Sequence, residues 1–418
     1  MRDWLLFWNP LIGLWCLWIT MAVLAMIRVS QFARAINKPP REGFDQFRPP
    51  AVIIVPFKGH DMDLPRHVRA LLSQDYPDYR LLFVFESDDD PARPAIQREI
   101  AEHPNRELVQ LITAGPAPDD TGQKVHNHLA ALRHLETSAN PAAVWVFADS
   151  DAVPGPNWLR KLVGPHSQPD RVGVTTGYRW LVPQLRAQQP QLASMFASVI
   201  NSGVASFIGH DELTQAWGGS MAIRADFARE RGLANYLQGS LSDDYQMTRL
   251  ARDASKRVYF VHRCLVASPI QFDWPGLFEF GRRQYLITRV HDVTLYLKAV
   301  GLIGFYLLAN LSAVAMLIYA LAVQFWAMAI FSGIALVIVG VLNQIRAGYR
   351  KQAVQNAFGR DLVRYLRHTL WLDRFGTFPV MAINLALLLS AAFGRTMTWR
   401  GHRYRLAGPQ QVKRLPAT

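Results

Sequence analysis

Two carboxylates stand one residue apart in Val144–Ala152, which reads V-W-V-F-A-D-S-D-A. Residues i and i+2 of a strand project to the same face. Asp149 and Asp151 therefore present oxygens to one hard cation, provided the strand geometry carries to its tip. Such a cation keeps waters and commonly binds phosphates through one or two carboxylates. In open α/β sheets, ligands bind beyond the carboxyl ends of the strands. The pattern points to a metal-held diphosphate, and it also fits a solvated turn that follows a buried strand.

Further polar residues recur at expected strand tips and helix starts. Glu86 and Asp90 lie in F-E-S-D-D-D-P-A, where acids can accept hydrogen bonds from a base or ribose; a polar acidic loop explains them equally. Lys124 and Asn127, in G-Q-K-V-H-N-H-L, are spaced i, i+3 on one helix face. A lysine near a helix start suits a diphosphate or base contact. His126 and His128 read as surface or packing residues. Trp217-Gly218-Gly219-Ser220 has paired glycines that allow close backbone approach to a ligand, and the adjacent Trp favours a binding loop over a plain turn. Leu241-Ser242-Asp243-Asp244-Tyr245 opens a helical run to Arg252. Asp243 reads as a helix-dipole partner, and Asp244 as a proton acceptor held ionised by the helix end.

The elements that must carry these residues alternate. Ala51–Phe57, Tyr79–Phe85, Leu108–Thr113, Val144–Ala148 and Val172–Thr176 are short apolar strands; Leu64–Ser73, Ala95–Glu102 and Lys124–Leu135 have helical spacing. This order implies βαβ units and a mainly parallel α/β sheet. A Gly-x-Gly-x-x-Gly dinucleotide fingerprint is absent from it, so phosphate handling falls to the aspartates.

Hydropathy frames this section with membrane segments. Trp4–Ile27 is uncharged and long enough for a bilayer, which needs about 20 apolar residues. It has no small-residue cleavage site and reads as a retained anchor, residues 1–27. A domain over 40–290 follows, then a membrane block over 300–394 and a basic tail over 395–418. Leu302–Val323, Trp326–Leu342 and Thr377–Phe393 are the apolar runs of that block. Arg28, Arg34, Lys38 and Arg41 after the first run place the domain in the cytoplasm by the positive-inside rule. Three later crossings would export the four arginines of Arg395–Arg405, so Thr377–Phe393, which contains Pro379, is expected to be re-entrant or interfacial. The formal charge of +13 clusters beside apolar segments, which favours topology and anionic headgroups over nucleic acid as its cause. Two cysteines, Cys16 and Cys264, exclude a disulfide framework or a cysteine zinc site.

The ordered set of strand-Lys58-Gly59, F-E-S-D-D-D-P-A, Lys124 with Asn127, A-D-S-D, W-G-G-S, D-D-Y and the Arg-rich Gly281–Arg289 resembles family 2-type inverting glycosyltransferases. The likeness is closest to the ceramide glucosyltransferase-like branch and spans nearly the whole chain. It implies a GT-A α/β domain with transmembrane helices at both ends. It implies a UDP-sugar donor met by Lys58, Glu86, Asp90, Lys124, Asn127, Asp149 and Gly219. Asp149 and Asp151 would hold Mg²⁺ or Mn²⁺, Asp244 would be the base, and Trp217, Gly218, Ser220 and Asp243 would face the acceptor. The family's usual Arg/Gln-x-x-Arg-Trp is replaced here by Gly281-Arg282-Arg283-Gln284-Tyr285. By the resemblance Arg282, Arg283, Gln284 and Tyr285 still belong to the donor site. Ser87 stands where relatives often carry Asp.

The expected reaction moves a sugar, by the resemblance glucose, from UDP to the hydroxyl of a membrane lipid with inversion. The expected setting is a bacterial inner membrane, with the lipid bilayer as partner and no nucleic acid. A processive polysaccharide synthase uses the same domain but needs more spans. A non-catalytic binding scaffold would have lost the base. A transporter is disfavoured because the apolar segments lack the buried acids and broken helices of substrate pathways.

Overall fold

The computed structural model describes residues 10–59, 63–139, 141–186, 189–209 and 214–416. The first nine residues of the expected anchor and the last two of the tail lie outside them. The chain divides into two compact units. One comprises Lys38–Gln184, Ile208–Gln271 and Gly394–Thr418; the other comprises Met1–Asn37, Leu185–Phe207 and Phe272–Phe393.

The first unit is built on strands β1 (Ala51–Phe57), β2 (Tyr79–Phe85), β3 (Val109–Thr113), β4 (Val144–Ala148), β5 (Val172–Pro183), β6 (Ser220–Arg224) and β7 (Arg257–Ile270). They form one sheet in the order β3-β2-β1-β4-β6-β5-β7. Only β6 runs antiparallel to its neighbours. This is the mainly parallel α/β class expected from the strand and helix alternation. Every residue of β1 is buried, because helices cover both faces of the sheet. Ile53, Val55 and Phe57 pack into one core with Leu64–Leu72 and Trp158–Val163. Val52 and Ile54 pack into the other with Gln123–Glu136 and Asp243–Asp253. β5 is longer than expected, and β6 and β7 are additions to the strands read from the sequence.

Strand order fixes where a ligand can enter. The chain moves outward from β1 to β3, then returns past β1 to β4. That reversal opens a crevice beyond the carboxyl ends of β1 and β4. Their ladder runs from Ala51↔Val144 to Ile54↔Phe147, and Lys58-Gly59 and Asp149 follow the two strands. Antiparallel β6 begins opposite the end of β4, with Ser220 paired to Ala148. The W-G-G-S loop that feeds β6 is therefore delivered to Asp149.

The segment read as a basic tail folds within this α/β unit. Strands β8 (Thr396–Trp399), β9 (His402–Gly408) and β10 (Gln411–Leu415) make an antiparallel sheet. The Val412 N–H donates to Gly239 O and the Arg414 N–H to Asp119 O.

The second unit is helical. Pro10–Asn37, Val293–Ala322 and Trp326–Phe358 are long and apolar enough to cross a membrane. Arg367–Phe375 and Thr377–Ala392 are apolar together but bend by 90° at their break. Gly376 lies at that bend, its N–H bonded to Leu372 O at 2.7 Å. The break and the acid beside it lie just before Thr377–Phe393, outside the apolar runs read from the sequence. Asp373 is buried, and its Oδ2 accepts from Arg350 Nε at 2.7 Å. The pairing partner comes from another helix, and an acid so compensated can be buried.

Candidate active site

The crevice end of the sheet gathers charges from three segments. Lys124 is the second residue of the Gln123–Glu136 helix. Its Nζ lies 2.7 Å from Asp149 Oδ1 and 3.1 Å from Asp243 Oδ2, with little solvent access. Burial opposes charge on this amine, yet Asp149, Asp243 and Asp244 raise its pKa above the ordinary lysine value. Burial likewise opposes charge on Asp243, and Lys124 leads the interactions that hold its pKa below the usual carboxylate value. His128 is fully buried with Nδ1 at 3.5 Å from Asp243 Oδ2, and burial pushes its pKa down to about 4, so the ring is neutral.

Local packing sets this meeting. The Gly122 N–H donates to Ser240 O, and a Cβ on Gly122 would stand 2.6 Å from Leu241 Cδ1. The loop before Asp243 is thereby pressed against the start of the Lys124 helix. Ser242 caps the next helix by accepting from the Tyr245 N–H. Its hydroxyl also donates to Asp244. Burial, and then the neighbouring Asp243 charge, push the Asp244 carboxyl up to about 6. The two adjacent acids thus differ in proton affinity because Asp243 pairs directly with the ammonium, whereas burial and the Asp243 charge prevail at Asp244.

The paired glycines have a steric reason. A Cβ on Gly218 would lie 2.6 Å from Lys124 Nζ and 2.7 Å from Asp243 Oδ2. One on Gly219 would lie 2.2 Å from Trp217 Cζ2 and 2.7 Å from Asp149 Oδ2. Only a backbone without side chains passes beneath the charged cluster. Trp217 is buried, its ring edge-on to Tyr178 and its N–H bonded to Thr176 Oγ1.

Other expected site residues have the following partners in the structure. Asn127 is buried, accepting from Gln123 Nε2 at 2.8 Å and donating to Val84 O at 3.3 Å. Asp90 accepts the Gly59 and Ala92 N–H groups and so clamps the loops after β1 and β2. Ser220, expected to face the acceptor, is fully buried and accepts from Trp158 Nε1 at 2.7 Å. Asp243, expected as a simple dipole partner, is an ion-pair partner of Lys124. Arg282, Arg283, Gln284 and Tyr285 belong to the Trp274–His291 helix of the helical unit. There Arg282 donates to Ser390 O and Phe393 O, Tyr285 to Asn384, and the Arg283 guanidinium lies over Phe280.

Lys58 and Glu86 do meet, Nζ to Oε2 at 2.6 Å. His402, which the sequence reading passed over, joins them. Its signal was present in T-M-T-W, H-R-Y-R-L and Q-V-K-R-L, whose alternation around W-R-G-H marks a hairpin.

A divalent cation fits the crevice on chemical grounds. Asp149 keeps partial solvent access at the strand tip, and Asp151 follows two residues later. Among the described residues no three His, Cys, Asp or Glu side chains converge as a metal cage. Two carboxylates suit a cation whose remaining positions go to waters and phosphate oxygens.

The family model described as Glycosyl transferase family 21 matches residues 13–412. Among solved structures, the mannosyltransferase PcManGT from Pyrobaculum calidifontis, in complex with GDP-Man and Mn2+, is 16% identical. That match covers 91% of this chain and 97% of that one, with a TM-score of 0.48. The crystal structure of GalNAc-T7 with UDP, GalNAc and Mn2+ is 15% identical over 61% of this chain and 53% of that one, with a TM-score of 0.39. No curated protein matches the chain.

The glycine contacts predict a stability contrast. Gly219→Ala should cost about 1–3 kcal/mol, the usual penalty of overpacking. Gly155→Ala should be near neutral, since a Cβ there meets nothing within 4 Å. Thermal melting of the two variants checks this, and equal melting temperatures would show that the loop yields.

Proposed function

The chain belongs to glycosyl transferase family 21, and on that premise we propose that it transfers a hexose from UDP to the hydroxyl of a membrane lipid, inverting the anomeric centre. The coarser statement stands by itself: the chain is a glycosyltransferase that uses a nucleotide-sugar donor. The observation that carries the finer reading is the pairing of a charged Asp243 with an Asp244 of raised proton affinity, next to Lys124 and Asp149. Glucose and a ceramide-like acceptor follow from the branch resemblance. The apolar helices, which indicate membrane association, support a lipid acceptor.

In this mechanism Asp149 and Asp151 would hold Mg²⁺ or Mn²⁺, which when bound supplies Lewis-acid neutralisation of the leaving diphosphate. Lys124 remains an ammonium and fixes the Asp149 and Asp243 carboxylates. Asp244 accepts the acceptor hydroxyl's proton as that oxygen bonds to the anomeric carbon. The bond from that carbon to the diphosphate oxygen breaks, and its electron pair leaves with UDP. Attack opposite the leaving group turns an α-linked donor into a β-linked product. Asp243 is a positioning residue: its negative charge raises the basicity of Asp244.

The proposed topology also follows from the chain path. Gly394–Thr418 shares a compact unit with Lys38–Gln184, so an even number of crossings separates Gln271 from Gly394. Val293–Ala322 and Trp326–Phe358 supply two, so in this reading the pair bent by 90° is a re-entrant loop that does not add a crossing. Basic flanks put the α/β unit and the C-terminal strands in the cytoplasm, of a bacterial inner membrane in this reading. An engineered cysteine at the exposed Lys413 should resist membrane-impermeant thiol reagents in intact cells; labelling from outside would reverse this topology.

Asp244→Asn should lower kcat by about 10²–10⁴-fold, the usual contribution of a general base, with UDP affinity within about threefold of the parent. The group must be ionised to act, so kcat/KM of the parent should fall as pH drops through about 6. In Asp243→Asn the acid limb should move to lower pH, because the charge that raises Asp244 is gone. The assay is lipid glycosylation from a panel of UDP-sugars with product mass detection. Normal turnover by Asp244→Asn would remove this mechanism.

A further inference from the structure

The C-terminal strands bring their own chemistry to the tips of β1 and β2. Trp399 pairs with His402 across a two-residue turn, Arg400-Gly401. Both turn residues have positive φ, 49° and 79°, the signature of the tight hairpin whose twist matches its strands. Glycine adopts that conformation freely, whereas a long side chain such as arginine is held there at a cost. The turn aims at the strand tips: Arg400 Nη1 lies 3.4 Å from Lys58 O.

His402 follows the turn and reaches Lys58 Nζ with Nε2, while its Nε2 is 3.9 Å from Glu86 Oε2. On the other side of the ring, Arg414 Nη2 lies 2.6 Å from Nδ1. An imidazole offers at most one acceptor nitrogen, yet a cation stands at each of the two. One cationic N–H is therefore left to a partner other than the ring. Glu86 already pairs with Lys58 at 2.6 Å, and among the described residues no ion pair is recorded for Arg414. Burial, then Lys58 and Arg414, hold the His402 pKa below its ordinary value, which keeps the ring an acceptor. Excess positive charge beside a ring acceptor suits a ligand carrying both hydroxyls and phosphate oxygens.

The sheet is also tied to the two helices of the charged cluster. The buried Tyr404, on the His402 face of β9, bonds the Gln123 backbone at the start of the Lys124 helix. Gln246, in the helix of Asp243 and Asp244, donates to Pro409 O at 2.9 Å.

We propose that the C-terminal sheet completes the donor site, and that His402, flanked by Arg400 and Arg414, binds the nucleoside diphosphate at the tips of β1 and β2. The inference rests on the nucleotide-sugar reading above. It adds a binding wall outside the crossover sheet, assembled from a part of the chain that follows the last apolar helix.

The test is calorimetric titration of the full-length protein in detergent with UDP, GDP, CDP and ADP, each with Mn²⁺. His402→Ala should weaken the preferred diphosphate about tenfold and shrink the rise in melting temperature that it causes. His402→Gln keeps an acceptor and should bind within about threefold of the parent. Arg403→Ala, on the exposed face of the same strand, should bind as the parent does. If His402→Ala melts earlier but binds with parental affinity, its role is structural and the inference is overturned while the donor reading stands. If the parent binds none of the four diphosphates, the donor reading fails and takes the inference with it.

Discussion

One buried ammonium holds the site together. Lys124 lies between Asp149 and Asp243, which come from segments far apart in sequence. Two carboxylates gathered on one poorly solvated amine would repel each other without it. The cation between them offsets that repulsion. The Asp149 charge is then available at the end of β4, and the Asp243 charge acts on its neighbour Asp244. A buried ion pair of this kind adds little net stability, because desolvation offsets most of the attraction. Its value here is positional. Removing one partner would leave an uncompensated charge and disturb every segment that meets at the cluster.

The sheet delivers those segments. Reversal of strand order between β1 and β4 opens the crevice, and antiparallel β6 returns the W-G-G-S loop to the Asp149 end. The glycines then let that loop pass under Lys124 and Asp149 without a Cβ. Ser220, next in the chain, already belongs to the strand, so its hydroxyl turns inward to the Trp158 indole. The loop beneath the charged cluster thus gives way to the packed strand over a single residue.

The parallel strands and their helices were legible because each is a short apolar run bounded by turn residues. The acid-bearing tips were legible because strand periodicity puts Asp149 beyond a buried segment. What escaped depends on tertiary pairing. Asp243 looked like a helix-dipole acid, since nothing local reveals that Lys124 lies opposite it. Asn127 shares a helix face with Lys124 but turns into the Gln123 and Val84 contacts. Asp373 and its guanidinium partner are 23 positions apart, so the buried pair leaves no periodic trace. In Arg395–Arg405 the arginines dominate the composition and mask the alternation of Tyr404 and Leu406 with Arg403 and Arg405 that marks a strand.

The most direct test of this account is a double-mutant cycle between Lys124 and Asp243, read by thermal unfolding with Mn²⁺ and UDP omitted. Lys124→Met should destabilise by about 3–5 kcal/mol, the cost of leaving a buried charge unpaired, and Asp243→Leu by less, since Lys124 keeps Asp149. The double variant should recover at least about 1 kcal/mol relative to their sum, because neither orphan then faces the other's vacancy. Strict additivity would mean that the two side chains do not depend on each other, and the ion pair would lose its place as the organising contact of the site.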